Sequence, residues 1–150
     1  MKEPIRVYAD TSVFGGVFDD RFAEASRTFF QRVQGGVYDL VISSIAADEV
    51  ELAPTRVREL FERIRPFTRM TEITERALDQ RTAYLKAGIV SSHQSTDALH
   101  VALATVSGCQ VIASWNFRHV VHYEKIDKYN AVNRLHEYQE IAIHSPWEII

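Results

Sequence analysis

Four short stretches carry residues whose types and order suggest chemistry. "RVYADTSVFGG" runs strand-forming residues into Asp10, which is followed at once by the hydroxyls of Thr11 and Ser12. "ISSIAADEV" holds Glu49, "STDALHVALA" holds Asp97, and "VIASWNFRHVV" holds Ser114 and Asn116. Brought to one place, three carboxylates repel one another and drive their own pKa values up. A hard divalent cation resolves that conflict, and carboxylate, hydroxyl and amide oxygens suit Mg²⁺ or Mn²⁺. Zinc would want His or Cys. The sequence has no HExxH, and the pair His119 and His122 has no acidic or Cys partner at zinc spacing. Each acid also has a plainer reading: Asp10 as a turn former, Glu49 as a salt-bridged helix acid, Asp97 as a first-turn acid favoured by the helix dipole.

The elements that carry these residues decide whether they meet. Ile5–Ala9 reads as a strand, and Arg21 to Gln34 as a helix closed by Gly35-Gly36. "YDLVIS" is a second strand, followed by a short helix over "IAADEVEL". Pro54 opens a helix with Val57, Leu60, Phe61 and Ile64 at helical spacing, and Pro66 stops it. "PFTRM" is a short strand, and a helix from Thr71 or Thr74 runs to Lys86, with Gly88 as its stop. Ser95 caps "TDALHVALATVS", which Gly108 ends, and "QVIAS" and "EIAIHSP" are the last strands.

Strands alternating with helices predict a single α/β domain over residues 1–150 with a mostly parallel sheet. Ligands bind such sheets outside the carboxyl ends of the strands. Asp10 follows the first strand, the helix bearing Glu49 starts where the second strand ends, and Ser114 and Asn116 follow "QVIAS". Asp97 sits in the first turn of a crossover helix, whose N-terminus lies at the same edge. On a helical wheel Ile45, Ala46, Val50, Leu52 and Ala53 form an apolar arc with Glu49 near its middle. Asp97 shares a stripe of small residues with Val101, Ala104 and Gly108, which directs it inward.

Composition narrows the function classes. The chain has 150 residues, 46% hydrophobic and 25% charged, with a net charge of −3, so it is not a polycation built to coat nucleic acid. Any such contact needs a local patch; "PTRVRELFERIRPFTR" offers five Arg against two Glu. The lone Cys109 excludes an internal disulfide and fits a reducing compartment. No apolar run approaches the roughly 20 residues of a membrane span, and "MKEPIRVYAD" lacks a signal-peptide core. A cytoplasmic protein with no membrane partner is expected.

In their order and spacing, "VYADTSVFGG", "ISSIAADEV", "STDALHVALA" and "VIASWNFRHVV" resemble the PIN-domain ribonucleases, the family that contains the VapC-type toxins of bacterial toxin–antitoxin pairs. The resemblance spans essentially the whole chain. It implies a three-layer α/β/α sandwich with a five-stranded parallel sheet, and an acidic Mg²⁺ or Mn²⁺ pocket that cleaves RNA phosphodiesters. Asp10, Glu49 and Asp97 match the family's metal-binding acids, and Thr11 or Ser12 the hydroxyl beside the first. Asn116 stands where the family often has a fourth acid, joining the catalytic set as an uncharged oxygen donor; Asp19 and Asp20 lie in a nearby loop. Thr11, Ser12, Ser114, Arg118 and His119 are the candidates to meet the RNA substrate. Trp115 stacks a base or packs in the core. A cognate antitoxin and a homodimeric arrangement are compatible with the resemblance. The competing reading is a PIN-like module that binds RNA or protein without cutting, which Asn116 favours. A haloacid-dehalogenase-type phosphatase needs a second Asp where Ser12 stands, and neither GxGxxG nor a P-loop occurs.

Overall fold

The computed structural model describes residues 3–150. Among these residues five strands form one parallel sheet: β1 (Ile5–Ala9), β2 (Tyr38–Ser43), β3 (Thr68–Thr71), β4 (Val111–Ala113) and β5 (Ala142–His144). Their spatial order is β3-β2-β1-β4-β5. The helices are α1 (Thr11–Gly16), α2 (Ala23–Gln34), α3 (Ser44–Glu51), α4 (Thr55–Ile64), α5 (Glu75–Lys86), α6 (Ser95–Val106), α7 (Tyr123–Leu135) and α8 (Pro146–Ile149). None of them is long and apolar enough to cross a membrane.

Alternation along the strands sorts the core into two halves. Val7, Ala9, Leu40, Ile42 and Ala113 pack on one side with Phe14, Phe29, Phe30 and Phe61 from α1, α2 and α4. Tyr8, Val41, Ile112 and Ile143 pack on the other with Ala77, Tyr84, Leu103 and Tyr129 from α5, α6 and α7. The outcome is the expected α/β/α sandwich around a five-stranded parallel sheet. From β1 the chain winds outward to β2 and β3, then returns to the other side for β4 and β5. The order therefore reverses between β1 and β4, and ligands bind such sheets at the carboxyl edge of that reversal.

Most boundaries follow the sequence pattern. Of Thr71 and Thr74, it is Thr74 that caps α5, its hydroxyl accepting from the N–H of Ala77 at 3.2 Å. Ser95 does not cap α6 but begins it, and Gln94 precedes it without a side-chain cap. Three further helices, α1, α7 and α8, were not expected. Parallel pairing of β4 with β5 demands a crossover, and α7 supplies it. Its inner face carries Tyr129 together with two amides. Asn133 Oδ1 accepts from Gln80 Nε2 at 2.9 Å and from the Tyr84 hydroxyl at 2.5 Å. Asn130 accepts from the Ile141 N–H at 2.7 Å and donates to the Ile141 carbonyl at 2.9 Å.

Gly16, at the end of α1, is where two buried side chains meet. The Trp115 indole N–H donates to Ser26 Oγ at 2.8 Å, and a Cβ on Gly16 would lie 2.6 Å from both atoms. Gly16→Ala is expected to push them apart and destabilise the fold by about 1–3 kcal/mol. Gly15→Ala, where a Cβ meets nothing within 4 Å, is the matched control and is expected to be neutral. Thermal melts of the two variants check this; equal melting temperatures would show that the Trp115–Ser26 contact yields freely.

Candidate active site

Asp10 ends β1 and caps α1, its Oδ1 accepting the Ser12 N–H at 3.1 Å and the Ser12 hydroxyl as well. That much is the work of a turn former. Its other oxygen, however, is reached from across the β1/β4 reversal by the Ser114 hydroxyl at 2.5 Å. Ser12 Oγ accepts the Trp115 N–H at 2.8 Å, and Ser114 Oγ accepts the Asn116 N–H at 2.9 Å. One buried carboxylate thus ties together the ends of the two central strands. Burial drives the Asp10 pKa up, and the His100 charge and the serine hydroxyls pull against it.

Glu49 arrives by α3, which starts directly after β2 because Ser43 caps it, accepting the Ala46 N–H at 3.1 Å. Leu52, assigned to the apolar arc from the sequence, is instead 92% exposed, because α3 ends at Glu51 and the chain turns away. Glu49 Oε1 accepts from the Thr11 hydroxyl at 3.1 Å and lies 2.7 Å from His100 Nε2. His100, buried on α6, places Nδ1 2.6 Å from the Tyr8 hydroxyl, which donates to Ser43 Oγ at 2.8 Å. Nε2 faces a carboxylate and Nδ1 a phenol oxygen, an arrangement that favours a proton on the ring.

The titration shifts agree. Burial pushes His100 down, but the bond to Glu49 and the charges of Asp10, Glu49 and Asp97 outweigh it, and the net shift is upward. Burial likewise pushes Glu49 up, yet the bonds from His100 and Thr11 prevail and leave it lowered. Sequence reasoning missed His100. The signal was present, since His100 follows Asp97 by three residues on one helix face. The conflict among three acids is met in part by the chain's own cation. Burial, rather than repulsion between carboxylates, leads the shift at Asp10.

Asp97 lies half-buried in the first turn of α6, its Oδ1 accepting from Asn116 Nδ2 at 3.1 Å. Asn116 Oδ1 accepts the N–H groups of Arg118 at 3.2 Å and His119 at 3.0 Å. Asn116 therefore both engages Asp97 and folds the loop after β4. Arg118 is exposed and has no acidic partner among the described residues. His119 Nδ1 lies 3.2 Å from Lys125 Nζ, and burial, then the Lys125 charge, holds its imidazole below the ordinary value. Val101 and Ala104 of the small-residue stripe are buried, and Gly108 is exposed.

Other candidates from the sequence resolve simply. The Arg-rich stretch is divided: Arg69 pairs with Asp39 at 2.9 Å, Arg65 with Glu62 at 3.6 Å, and Arg56 lies over the Phe18 ring. It is no continuous phosphate track. The Cys109 thiol is pushed up to about 12 by burial and is inert as a nucleophile. A cavity of about 820 Å³ lies at the opposite, amino edge around Arg6, Asp39 and Arg69, remote from the acids. There the two arginines already pair with Asp39 across neighbouring strands.

The family model of the PIN domain matches residues 7–125, well over half of the chain and a span that includes Asp10, Glu49, Asp97 and Asn116. The chain belongs to the PIN domain family. Solved structures share its fold. FitAcB from Neisseria gonorrhoeae is 16% identical with a TM-score of 0.62, over 94% of this chain and 98% of that one. VapBC2 from Rickettsia felis, bound to a DNA fragment from its promoter, is 7% identical with a TM-score of 0.61, over 94% and 98%. FitAB bound to an IR36 DNA fragment is 15% identical with a TM-score of 0.61, over 94% and 95%. No curated protein sequence matches this PIN domain significantly.

PIN domains generally use a divalent metal, and the donors here fit one in kind. Asp10, Glu49 and Asp97 supply carboxylate oxygens, with Thr11 and Ser12 hydroxyls beside them, an all-oxygen set that suits Mg²⁺ or Mn²⁺. Among the described residues, however, no three His, Cys, Asp or Glu side chains are gathered closely enough to hold an ion. Each acid is satisfied by the chain's own donors instead: Asp10 by Ser12 and Ser114, Glu49 by Thr11 and His100, Asp97 by Asn116.

Proposed function

We propose that this PIN domain is a Mg²⁺- or Mn²⁺-dependent endoribonuclease and the toxin of a type II toxin–antitoxin pair. The observation that carries the reading is the linkage of Asp10, Glu49 and Asp97, from three separate elements, at the carboxyl edge where the strand order reverses. Asp10 reaches Asp97 through Ser114 and Asn116, and its neighbour Thr11 reaches Glu49. When bound through these acids, the metal offsets charge at the scissile phosphate and acidifies the attacking water.

The chain's own residues do the rest. His100 keeps Glu49 ionised, so Glu49 orients a water through Oε2, which has no hydrogen bond among the described residues. Arg118 and Lys125 meet substrate phosphates as cations, and His119, held below its ordinary pKa, acts as a neutral hydrogen-bonding group. The Ser114 and Ser12 hydroxyls hold Asp10 in place. The resemblance to VapC-type toxins, and the likeness in fold to FitAcB and VapBC2, support a cognate antitoxin as protein partner.

Cleavage of a generic single-stranded RNA is expected with Mn²⁺ or Mg²⁺, to be lost in excess EDTA, and not to be restored by Zn²⁺. Equal activity in EDTA removes the metal from the reaction. The second reading, a module that binds without cutting, is favoured by Asn116 standing bonded to Asp97 in place of an acid. RNA bound but left intact in Mn²⁺ would establish it.

A further inference from the structure

Beside the acids lies a second surface that the chemistry above does not use. Trp115 is in the core, 7% exposed, so it offers no face to a base. It anchors a set of rings instead. Phe22 stacks on it at 4.1 Å, and Trp147 from α8 meets it edge-on at 4.6 Å. Phe117 and Trp147 complete the set with near-parallel rings, 24° apart and 6.0 Å between centroids. These two are open to solvent, Phe117 at 41% and Trp147 at 52%.

The segment after β4 joins this surface to the acids residue by residue. Ser114 bonds Asp10 and Asn116 bonds Asp97, while Trp115 and Phe117 between and after them enter the ring cluster. Arg118 follows directly. Consecutive Cα atoms are about 3.8 Å apart, so an exposed ring and a free cation adjoin the residue that touches Asp97.

We infer that Phe117 and Trp147 form a base-stacking platform for single-stranded RNA, with Arg118 meeting the adjoining phosphate. Flat exposed rings, with a cation that has no acidic partner at their edge, match a polyanion carrying planar bases; stacking of this kind is sequence-tolerant. The inference rests on the ribonuclease reading only in taking the stacked strand to be the substrate.

The test titrates a ten-nucleotide single-stranded RNA into the protein in EDTA and follows tryptophan fluorescence, with an abasic strand of the same length and a duplex as controls. Of the two tryptophans only Trp147 is exposed, so quenching reports on the platform. Single-stranded RNA is expected to quench, and the abasic strand and duplex to bind weakly without quenching. Trp147→Ala and Phe117→Ala should each weaken binding roughly tenfold or more. Phe117→Ala removes the second exposed ring and serves if Trp147→Ala fails to fold. Unchanged Kd in the folded variants, or an abasic strand that binds as tightly, overturns the platform. So does a wild-type dimer that Trp147→Ala makes monomeric while RNA causes no quenching. Quenching in EDTA without cleavage in Mn²⁺ sinks the ribonuclease reading and keeps the platform. Cleavage with unaltered KM in both variants does the reverse.

Discussion

Asp10→Asn is expected to lower RNA cleavage in Mn²⁺ by roughly a hundredfold or more, the scale of losing several kcal/mol of charge stabilisation, while the folded state melts no lower than wild type in EDTA. Asparagine keeps the shape. Its carbonyl oxygen accepts from Ser12, and its amide donates to Ser114 Oγ once that hydroxyl rotates. The removed charge was a burden, because burial raises the Asp10 pKa above the ordinary carboxylate value of 3.8. For a carboxyl so shifted, the ionised form costs folded stability once the pH exceeds the unfolded value, and the cost grows until the folded group ionises. The variant should therefore gain on the order of 1 kcal/mol near neutral pH and nothing at low pH. Asp10→Ala, by contrast, strands the Ser12 and Ser114 donors and should lose about 1–3 kcal/mol. Melts in EDTA at pH 3 and pH 7.5, with single-turnover cleavage, separate these effects. An Asn variant that cuts at the wild-type rate leaves Asp10 with only its capping role.

The sheet was legible because its signals are local and strong. β1 and β2 are short β-rich runs, and rotation between layers follows from alternation alone. Once the elements alternated, the carboxyl-edge rule placed Asp10, Glu49, Asp97 and Asn116 together without knowledge of any contact. What failed was reading helices whose buried faces are polar. α7 packs Asn130 and Asn133 inward, and no apolar period marks residues whose burial depends on hydrogen bonds to Gln80, Tyr84 and Ile141. α1 is a single turn set by Asp10 itself, so the acid read for chemistry was also the local start signal.

The three-residue spacing of His100 from Asp97 is visible in the sequence, but its role is not, for a related reason. Within "TDALHVALA" a lone histidine among apolar residues reads as core, and its value depends on Tyr8, Ser43 and Glu49, which lie 92, 57 and 51 positions away. The wheel put Glu49 and Leu52 on one buried arc, but the Glu49 side chain is 40% exposed and Leu52 is open to solvent. Helical periodicity says which residues share a face; it does not say where the helix stops. Trp115 shows the same limit from the other side, since its neighbours Phe22 and Trp147 come from segments that flank the sheet from opposite ends of the chain.

His100→Ala is expected to destabilise the metal-free protein by about 2–4 kcal/mol, from the cavity it leaves and the partners it abandons. The Tyr8 hydroxyl, fully buried, keeps Ser43 but loses its second partner. The Glu49 side chain is 40% exposed, so water re-solvates it and the ion-pair share of the loss is modest. The pH dependence isolates that share. The raised His100 pKa contributes stability that is complete below its ordinary value of 6.5 and is lost as pH climbs through the raised folded value. The lowered Glu49 pKa contributes stability that is complete above its ordinary value of 4.5 and is lost as pH falls through the lowered folded value. Both contributions are whole between 4.5 and 6.5, so wild type should exceed His100→Ala by most in that window. The gap should narrow as the pH rises above 6.5, since the stability from the raised His100 pKa is progressively lost there. Urea melts of both proteins in EDTA at pH 5.5 and pH 9 measure it. A gap of the same size at both values would mean that the ring is neutral throughout, with Tyr8 donating to Nδ1 and Glu49 held by one ordinary hydrogen bond.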